Sequence, residues 1–180
     1  MVEFTHLNLE VSKLTEKRYR KICKWFNKHK FTLGILKFSY GILPYIVAIS
    51  YFILLILLLI YNDIFSVVFL KALLVPLGTF ILVTALRQIL NFKRPYELLD
   101  IKPLIKKSTK GHSFPSRHTA SAFIIAMTFL YVNQSSGIIF LIFSVMIGLS
   151  RFLTGVHFLR DVLIGALISI IIGSIFLFII

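Results

Sequence analysis

His157 and Asp161 stand four residues apart, just after Ser150-Arg151 and at the head of the last apolar stretch of the chain. Ionisable groups at the edge of a membrane span are costly and tend to be kept for function. A carboxylate one helical turn from an imidazole orients the ring and raises its basicity. His157 is therefore a candidate nucleophile or base, with Asp161 as its partner. Arg151 closes the preceding apolar stretch, beside Ser150 as a possible substrate contact, so the target of such a histidine should be anionic.

Two further segments supply matching chemistry. Arg87 and Arg94 are seven residues apart, so two helical turns would project both from one face, and Pro95 disfavours helix at Arg94. Alone, this pair reads equally as a positively charged helix stop. The run Gly111-His112-Ser113-Phe114-Pro115-Ser116-Arg117-His118 leads straight into an apolar segment. With Ser113 as N-cap and Pro115 in the first turn, the amides of residues 116–118 are left unpaired. Free amides at a helix N-terminus make an anion site suited to phosphate, and Ser116 and His118 add donors to it. His112 reads as a surface loop residue.

Composition sets the surroundings. The 180 residues are 58% hydrophobic, with a mean hydropathy of +0.90, outside the range of soluble globular chains. Residues 38–61 and 119–150 carry no charge, 64–86 carry only Lys71, and 162–180 are apolar to the end. A bilayer core takes about 20 helical residues, so the chain is expected to be an all-α, polytopic transmembrane bundle. About five spans are predicted, near 40–61, 64–90, 116–133, 137–152 and 157–180. Asn62-Asp63, Asn133–Gly137 and Thr154-Gly155 serve as turns, and Lys71 snorkels towards its end of the second span. Residues 1–38 form a basic region in which Val11, Leu14, Ile22 and Trp25 recur at helical spacing, read as an interfacial amphipathic helix with Trp25 at headgroup level. Residues 39–180 form the transmembrane domain. The polar, basic N-terminus does not resemble a cleavable signal peptide.

The net charge of +13 finds its simplest partner in anionic lipid headgroups, and nucleic acid is not expected. With one cysteine, Cys23, no internal disulfide forms. Only seven acidic residues occur, and only Asp161 lies beside the candidate chemistry, so no metal or other cofactor is expected. Up-and-down connectivity then puts Arg87, Arg94, Ser116, Arg117, His118, Arg151, His157 and Asp161 on one membrane face.

In this order, Arg87-x6-Arg94-Pro95, Pro115-Ser116-Arg117-His118 and Ser150-Arg151-x5-His157-x3-Asp161 resemble the three-part signature of the type 2 phosphatidic acid phosphatase (PAP2) family, K-x6-R-P, P-S-G-H and S-R-x5-H-x3-D. The resemblance covers residues 87–161. Arg87 stands where the family usually has Lys, and Arg117 replaces the usual Gly. The resemblance implies a lipid phosphatase in which Arg87, Arg94, Arg151 and Ser116 hold the phosphoryl oxygens. His157 would attack phosphorus, Asp161 would orient it, and His118 would protonate the leaving group and activate water. Arg117 becomes a candidate contact for a second phosphate or a charged headgroup. Undecaprenyl diphosphate, phosphatidic acid, phosphatidylglycerophosphate and phosphorylated lipid A are all compatible substrates. The other reading is a non-catalytic lipid-phosphate-binding or transport-accessory membrane protein, which would need the arginines but not both histidines. The resemblance places the site on the extracytoplasmic side of a bacterial plasma membrane, whereas the excess of Lys and Arg on that face argues for the cytoplasmic side. The sequence carries no signal for oligomeric state.

Overall fold

The computed structural model describes residues 2–61 and 64–180, with side chains from residue 14 onward. The expected turn at Asn62-Asp63 lies outside the described residues. The chain runs α1 (Val2–Lys28), α2 (Lys30–Gly41), α3 (Leu43–Tyr61), α4 (Val67–Leu90), α5 (Pro95–Leu98), α6 (Arg117–Val132), α7 (Gln134–Leu153) and α8 (Leu159–Gly173), and α8 runs on as a π-helical turn, Ser174–Ile179. The all-helical bundle expected from the sequence is what forms.

Among the described residues, four segments, those of α3, α4, α7 and α8, are long and apolar enough to cross a membrane. Their outer faces show Phe52, Ile56, Leu74, Ile81, Ile142, Leu163 and Phe178, an apolar surface stable only where lipid replaces water. The fifth expected span, α6, has 16 residues and rises only about 24 Å. It sits at the centre, packed by α3, α4, α7 and α8, with Ala120, Ala122, Ile124, Ala126 and Thr128 buried. Small residues there let neighbouring backbones come close, the usual way helices associate in lipid. Gly137 of α7 packs on the backbone of Leu130, and Gly165 of α8 comes as near the start of α6, where an added Cβ would lie 2.7 Å from the backbone oxygen of Ser116.

Several boundaries differ from the sequence reading. The turn expected over Asn133–Gly137 shrinks to one residue, because the Asn133 side chain accepts from Ser136 N at 3.0 Å and restarts helix at Gln134. Asn91 turns left-handed (φ 41°) and ends α4, so Arg94 leaves that helix and precedes α5 instead of sharing a face with Arg87. Lys71 finds its partners inside the bundle at its own end of α4: its Nζ donates to Leu177 O at 3.3 Å and lies 5.5 Å from the Tyr131 ring centre. The N-terminal region breaks at His29 into two helices, and its apolar face buries Tyr19, Phe26 and Leu36 against the bundle, leaving Trp25 half exposed.

Gly165→Ala is expected to force α8 away from α6, costing about 1–3 kcal/mol by overpacking. Thermal unfolding in detergent checks this, with Gly78→Ala as the control, since nothing lies within 4 Å of a Cβ there. A midpoint for Gly165→Ala equal to that of the control would refute the close approach.

Candidate active site

The site lies where α4, α6, α7 and α8 end on one side of the bundle, beneath the 91–116 connection. That connection is pinned at many points. Glu97 Oε2 accepts from Arg94 N (2.8 Å) and Gly111 N (2.9 Å), and Tyr96 OH donates to Thr109 O. Ser113 N donates to Phe92 O at 2.8 Å, and Leu104 N to Thr154 O at 3.1 Å. His112 is exposed, as expected, with its Nδ1 3.0 Å from Arg87 O.

His157 is not on a helix. Gly155 (φ 75°) turns the chain after α7, α8 begins only at Leu159, and His157 occupies the bend between them. Asp161 sits in the first turn of α8 and points back, its Oδ2 accepting from Phe158 N at 3.1 Å. The two side chains still meet, with Nδ1 and Oδ2 3.6 Å apart. Ser113 closes that gap, donating to Asp161 Oδ2 at 2.5 Å with its Oγ 3.3 Å from His157 Nδ1. Nδ1 is thus engaged, and Nε2 has no hydrogen-bond partner among the described residues. His157 is 3% and Asp161 0% exposed. Burial pushes the His157 imidazole down to about 4; the bond to Asp161 opposes this, while the charges of Arg94 and Arg87 add to it. The ring is therefore neutral at pH 7, with a lone pair on Nε2.

The segment 113–118 folds differently from expectation. Ser113 does not cap α6; it serves the His157–Asp161 pair instead. Pro115 precedes the helix, Ser116 is its N-cap, and α6 starts at Arg117. The amide of Ser116 is not free, since it donates to Asp161 O at 2.8 Å. The amides of residues 117–119 have no backbone partner, the first bond back to the N-cap being Ala120 N to Ser116 O. Ser116, expected to hold phosphate, is fully buried with its hydroxyl 2.9 Å from Thr119 Oγ1. Ser150, expected as a substrate contact, is also buried and donates back to Ile147 O at 2.7 Å. Both hydroxyls bond within their own helix region, which keeps them from a ligand in this arrangement.

The arginines converge. Arg94 and Arg151 are 5% and 4% exposed. Arg87 donates to Pro115 O (3.2 Å), Arg94 Nε to Gly111 O (3.0 Å) and Arg151 to Tyr40 O (2.9 Å), and the Arg151 guanidinium lies 4.0 Å from the Tyr40 ring centre. Each is held by a carbonyl or a ring, not by a carboxylate, so its charge stays uncompensated, and Arg151 Nε is buried without a partner. His118 and Arg151 line a cavity of about 470 Å³ together with Arg117 and Lys107, and its apolar lining includes Val47, Ala48, Ile125 and Ile147. Among the described residues, no three His, Cys, Asp or Glu side chains gather as a metal set.

Four residues of the site escaped the sequence reading. Ser113 was assigned to a cap, and Tyr40 lay in an uncharged stretch. Lys107, in the 91–116 connection, lines the cavity; partial burial and the charges of Arg94, Arg151, Arg117 and Arg87 push its ammonium below the ordinary value. Tyr19 of α1 donates to Thr154 O at 2.6 Å, accepts from Leu104 N at 3.3 Å, and fills the space over Gly155, where a Cβ would meet its hydroxyl. It braces the bend that carries His157. Amphipathic spacing placed Tyr19 on no particular face, so only its contacts reveal it. Arg160, largely exposed in the first turn of α8, places its Nε 3.5 Å from Asp161 Oδ1.

Comparison with known proteins gives a coherent picture. The model of the PAP2 superfamily matches residues 66–180. Undecaprenyl-diphosphatase BcrC of Bacillus subtilis (strain 168) is 36% identical over 83 residues, which is 46% of this chain and 42% of that protein. The chain therefore matches less than half the length of that curated relative. The crystal structure of Aquifex aeolicus LpxE superposes with a TM-score of 0.64 at 31% identity, covering 88% of this chain and 92% of that one. The transmembrane PAP2 type phosphatidylglycerolphosphate phosphatase from Bacillus subtilis, at 22% identity and TM-score 0.51 over 96% and 94%, shares the fold.

Burial of His157 sets the sign of its titration. A folded pKa below the unfolded value near 6.5 means that the native state resists the proton. Stability is intact above about 6.5 and declines as pH falls from there through about 4. Ring nitrogen shifts of labelled His157 should stay those of neutral imidazole down to pH 5, and protonation near 6.5 would contradict the buried, arginine-flanked environment.

Proposed function

The chain belongs to the PAP2 superfamily, and we propose that it is an integral-membrane lipid phosphatase, which cleaves a phosphomonoester or diphosphate from a lipid through a phosphohistidine and without a metal ion. The observation that carries this reading is a buried, neutral His157 whose Nδ1 is engaged by Asp161 and Ser113 while Nε2 stays free among uncompensated arginines. Such a ring is a nucleophile at neutral pH.

In this mechanism Arg87, Arg94 and Arg151 clamp the non-bridging oxygens, with the open amides at the start of α6 beside them. Their charge grows in value as negative charge spreads in the transition state. Nε2 attacks phosphorus, and the electron pair of the breaking P–O bond leaves on the lipid oxygen. His118, taken up as imidazolium by proton transfer when the phosphate anion binds between it and the arginines, gives that proton to the leaving oxygen, and the neutral ring then takes one from the water that hydrolyses the phosphohistidine. Asp161 and Ser113 fix the tautomer of His157 throughout. The three guanidinium groups do the electrostatic work for which other phosphatases use metal ions, which supports metal independence. The apolar lining of the cavity, at Val47, Ala48, Ile125 and Ile147, suits a hydrocarbon tail. Undecaprenyl diphosphate is a candidate substrate on the name of the curated relative; phosphatidic acid and phosphatidylglycerophosphate fit the same site. Residues 39–180 form the catalytic unit on this reading, with the basic 1–38 region braced against it at the membrane surface.

His157→Ala should abolish phosphate release from a short-chain lipid phosphate by purified protein, while EDTA leaves the wild type unaffected. Loss of activity in chelator would overturn the metal-free scheme. Unchanged turnover in His157→Ala would overturn the phosphohistidine, and a wild type that binds lipid phosphate without releasing phosphate would favour the non-catalytic alternative.

The site faces away from the cytoplasm of a bacterial plasma membrane on this reading. The cations of the site-bearing face, which suggest the opposite orientation, are in part engaged: Arg87, Arg94 and Arg151 in the site, and Arg20 with Asp100 at 2.9 Å. Ser135, exposed at the opposite end of the bundle, is then cytoplasmic. In a Cys23→Ala background, Ser135→Cys should resist a membrane-impermeant maleimide in intact cells and react after permeabilisation. Labelling in intact cells would reverse the orientation.

A further inference from the structure

The cavity beside the clamp carries more positive charge than one phosphate needs. Lys107 and Arg117 both line it, next to His118 and Arg151. Neither has a carboxylate partner: the ion pairs of the described residues join Arg20 to Asp100 and join Asp161 to His157 and Arg160. Among the described residues, the contact that steadies Arg117 is the Phe80 ring, with its guanidinium carbon 5.4 Å from the ring centre. Two bare cations lining one largely apolar cavity repel one another and their neighbours, a cost that an anionic ligand between them would remove.

Their place along the substrate follows from the rest of the site. The phosphoryl group under attack sits against His157 and the Arg87–Arg94–Arg151 clamp, and the tail occupies the Val47–Ile147 end of the cavity. The leaving oxygen lies at His118. Arg117 is its neighbour in the same first turn of α6, so Lys107 and Arg117 flank the atoms just beyond the leaving oxygen. In a lipid monophosphate those atoms are uncharged carbon. In a lipid diphosphate they are the second phosphate.

We propose that Lys107 and Arg117 form a second phosphate subsite, which makes a lipid diphosphate the preferred substrate class. The inference rests on the hydrolase reading above for its chemistry, though not for its binding. Nε2 of His157 bonds to the terminal phosphorus, and the bond from that phosphorus to the bridging oxygen breaks. The electron pair stays on the bridging oxygen, now part of a lipid monophosphate whose charge Lys107 and Arg117 stabilise. Water then releases inorganic phosphate from the imidazole. Because this leaving group is already a phosphate, it depends less on a proton from His118 than an alkoxide does.

The test compares farnesyl diphosphate with farnesyl monophosphate, which share one tail. The ratio of their kcat/KM values, diphosphate over monophosphate, is measured for the wild type, Lys107→Gln, Arg117→Gly and the double variant. Arg117→Gln is a second choice that keeps helix propensity at the start of α6. Each single substitution should lower the ratio about tenfold, as expected for the loss of one charged hydrogen bond, and the double variant should lower it further. A ratio within twofold of wild type in all variants overturns the subsite. The Kd values of both compounds are measured in parallel on His157→Ala protein with and without these substitutions. Should the wild type hydrolyse neither compound, the hydrolase reading fails, and the subsite is then decided by binding alone. A tighter Kd for diphosphate that disappears with Lys107 and Arg117 supports it, and a preference that persists without them overturns it.

Discussion

The carboxylate of Asp161 is the joint on which the site depends. Its Oδ2 accepts from Ser113 and from Phe158 N and faces His157, while its backbone oxygen accepts from Ser116 N. One fully buried residue thereby ties the loop before α6 to the start of α8 and sets the His157 ring. A buried carboxylate is tolerable only when its lone pairs are filled and positive charge is near. Here Oδ2 is filled in this way, while Oδ1 is buried without a hydrogen bond and has the Arg160 Nε 3.5 Å away as its nearest charge. The close approach of Gly165 to Ser116 lets the two helices come near enough for these bonds to form.

The arginines present the opposite problem. They are gathered where water is scarce and where carboxylates are few, and the fold steadies them with the carbonyls of Pro115, Gly111 and Tyr40. Carbonyls satisfy donors without cancelling charge. The positive potential therefore survives, directed into the site, at some expense in stability. Binding and catalytic sites commonly hold such a compromise, because pre-set charge needs no rearrangement when negative charge develops.

The membrane divides the labour within the bundle. The lipid-facing helices are apolar on the outside, and α6 is short, rich in small residues and shielded by its neighbours. Its first turn carries Arg117 and His118 into the cavity at the site-bearing end. The N-terminal helix adds a brace from outside the matched family region, since Tyr19 bonds both Thr154 O and Leu104 N and so fixes the bend holding His157.

Much of this was legible in the chain itself. Uncharged stretches of span length can only be helices in lipid, because every backbone polar group must be satisfied internally; this fixed the class of fold and nearly all the helix positions. Order and spacing of Arg87, Arg94, His118, Arg151, His157 and Asp161 pointed to one site on one face. Other features depended on geometry that periodicity does not encode. A left-handed residue at Asn91 took Arg94 off the helix of Arg87, and Gly155 placed His157 in a bend. Ser113 became the bridge to Asp161 and not a cap, because a partner 48 residues away in sequence competed successfully for its hydroxyl. Lys107 and Tyr19 looked like other polar residues of a loop and a basic helix. Local sequence fixes hydrophobic period and helix ends, whereas the meeting of side chains from distant segments is decided only when the helices pack.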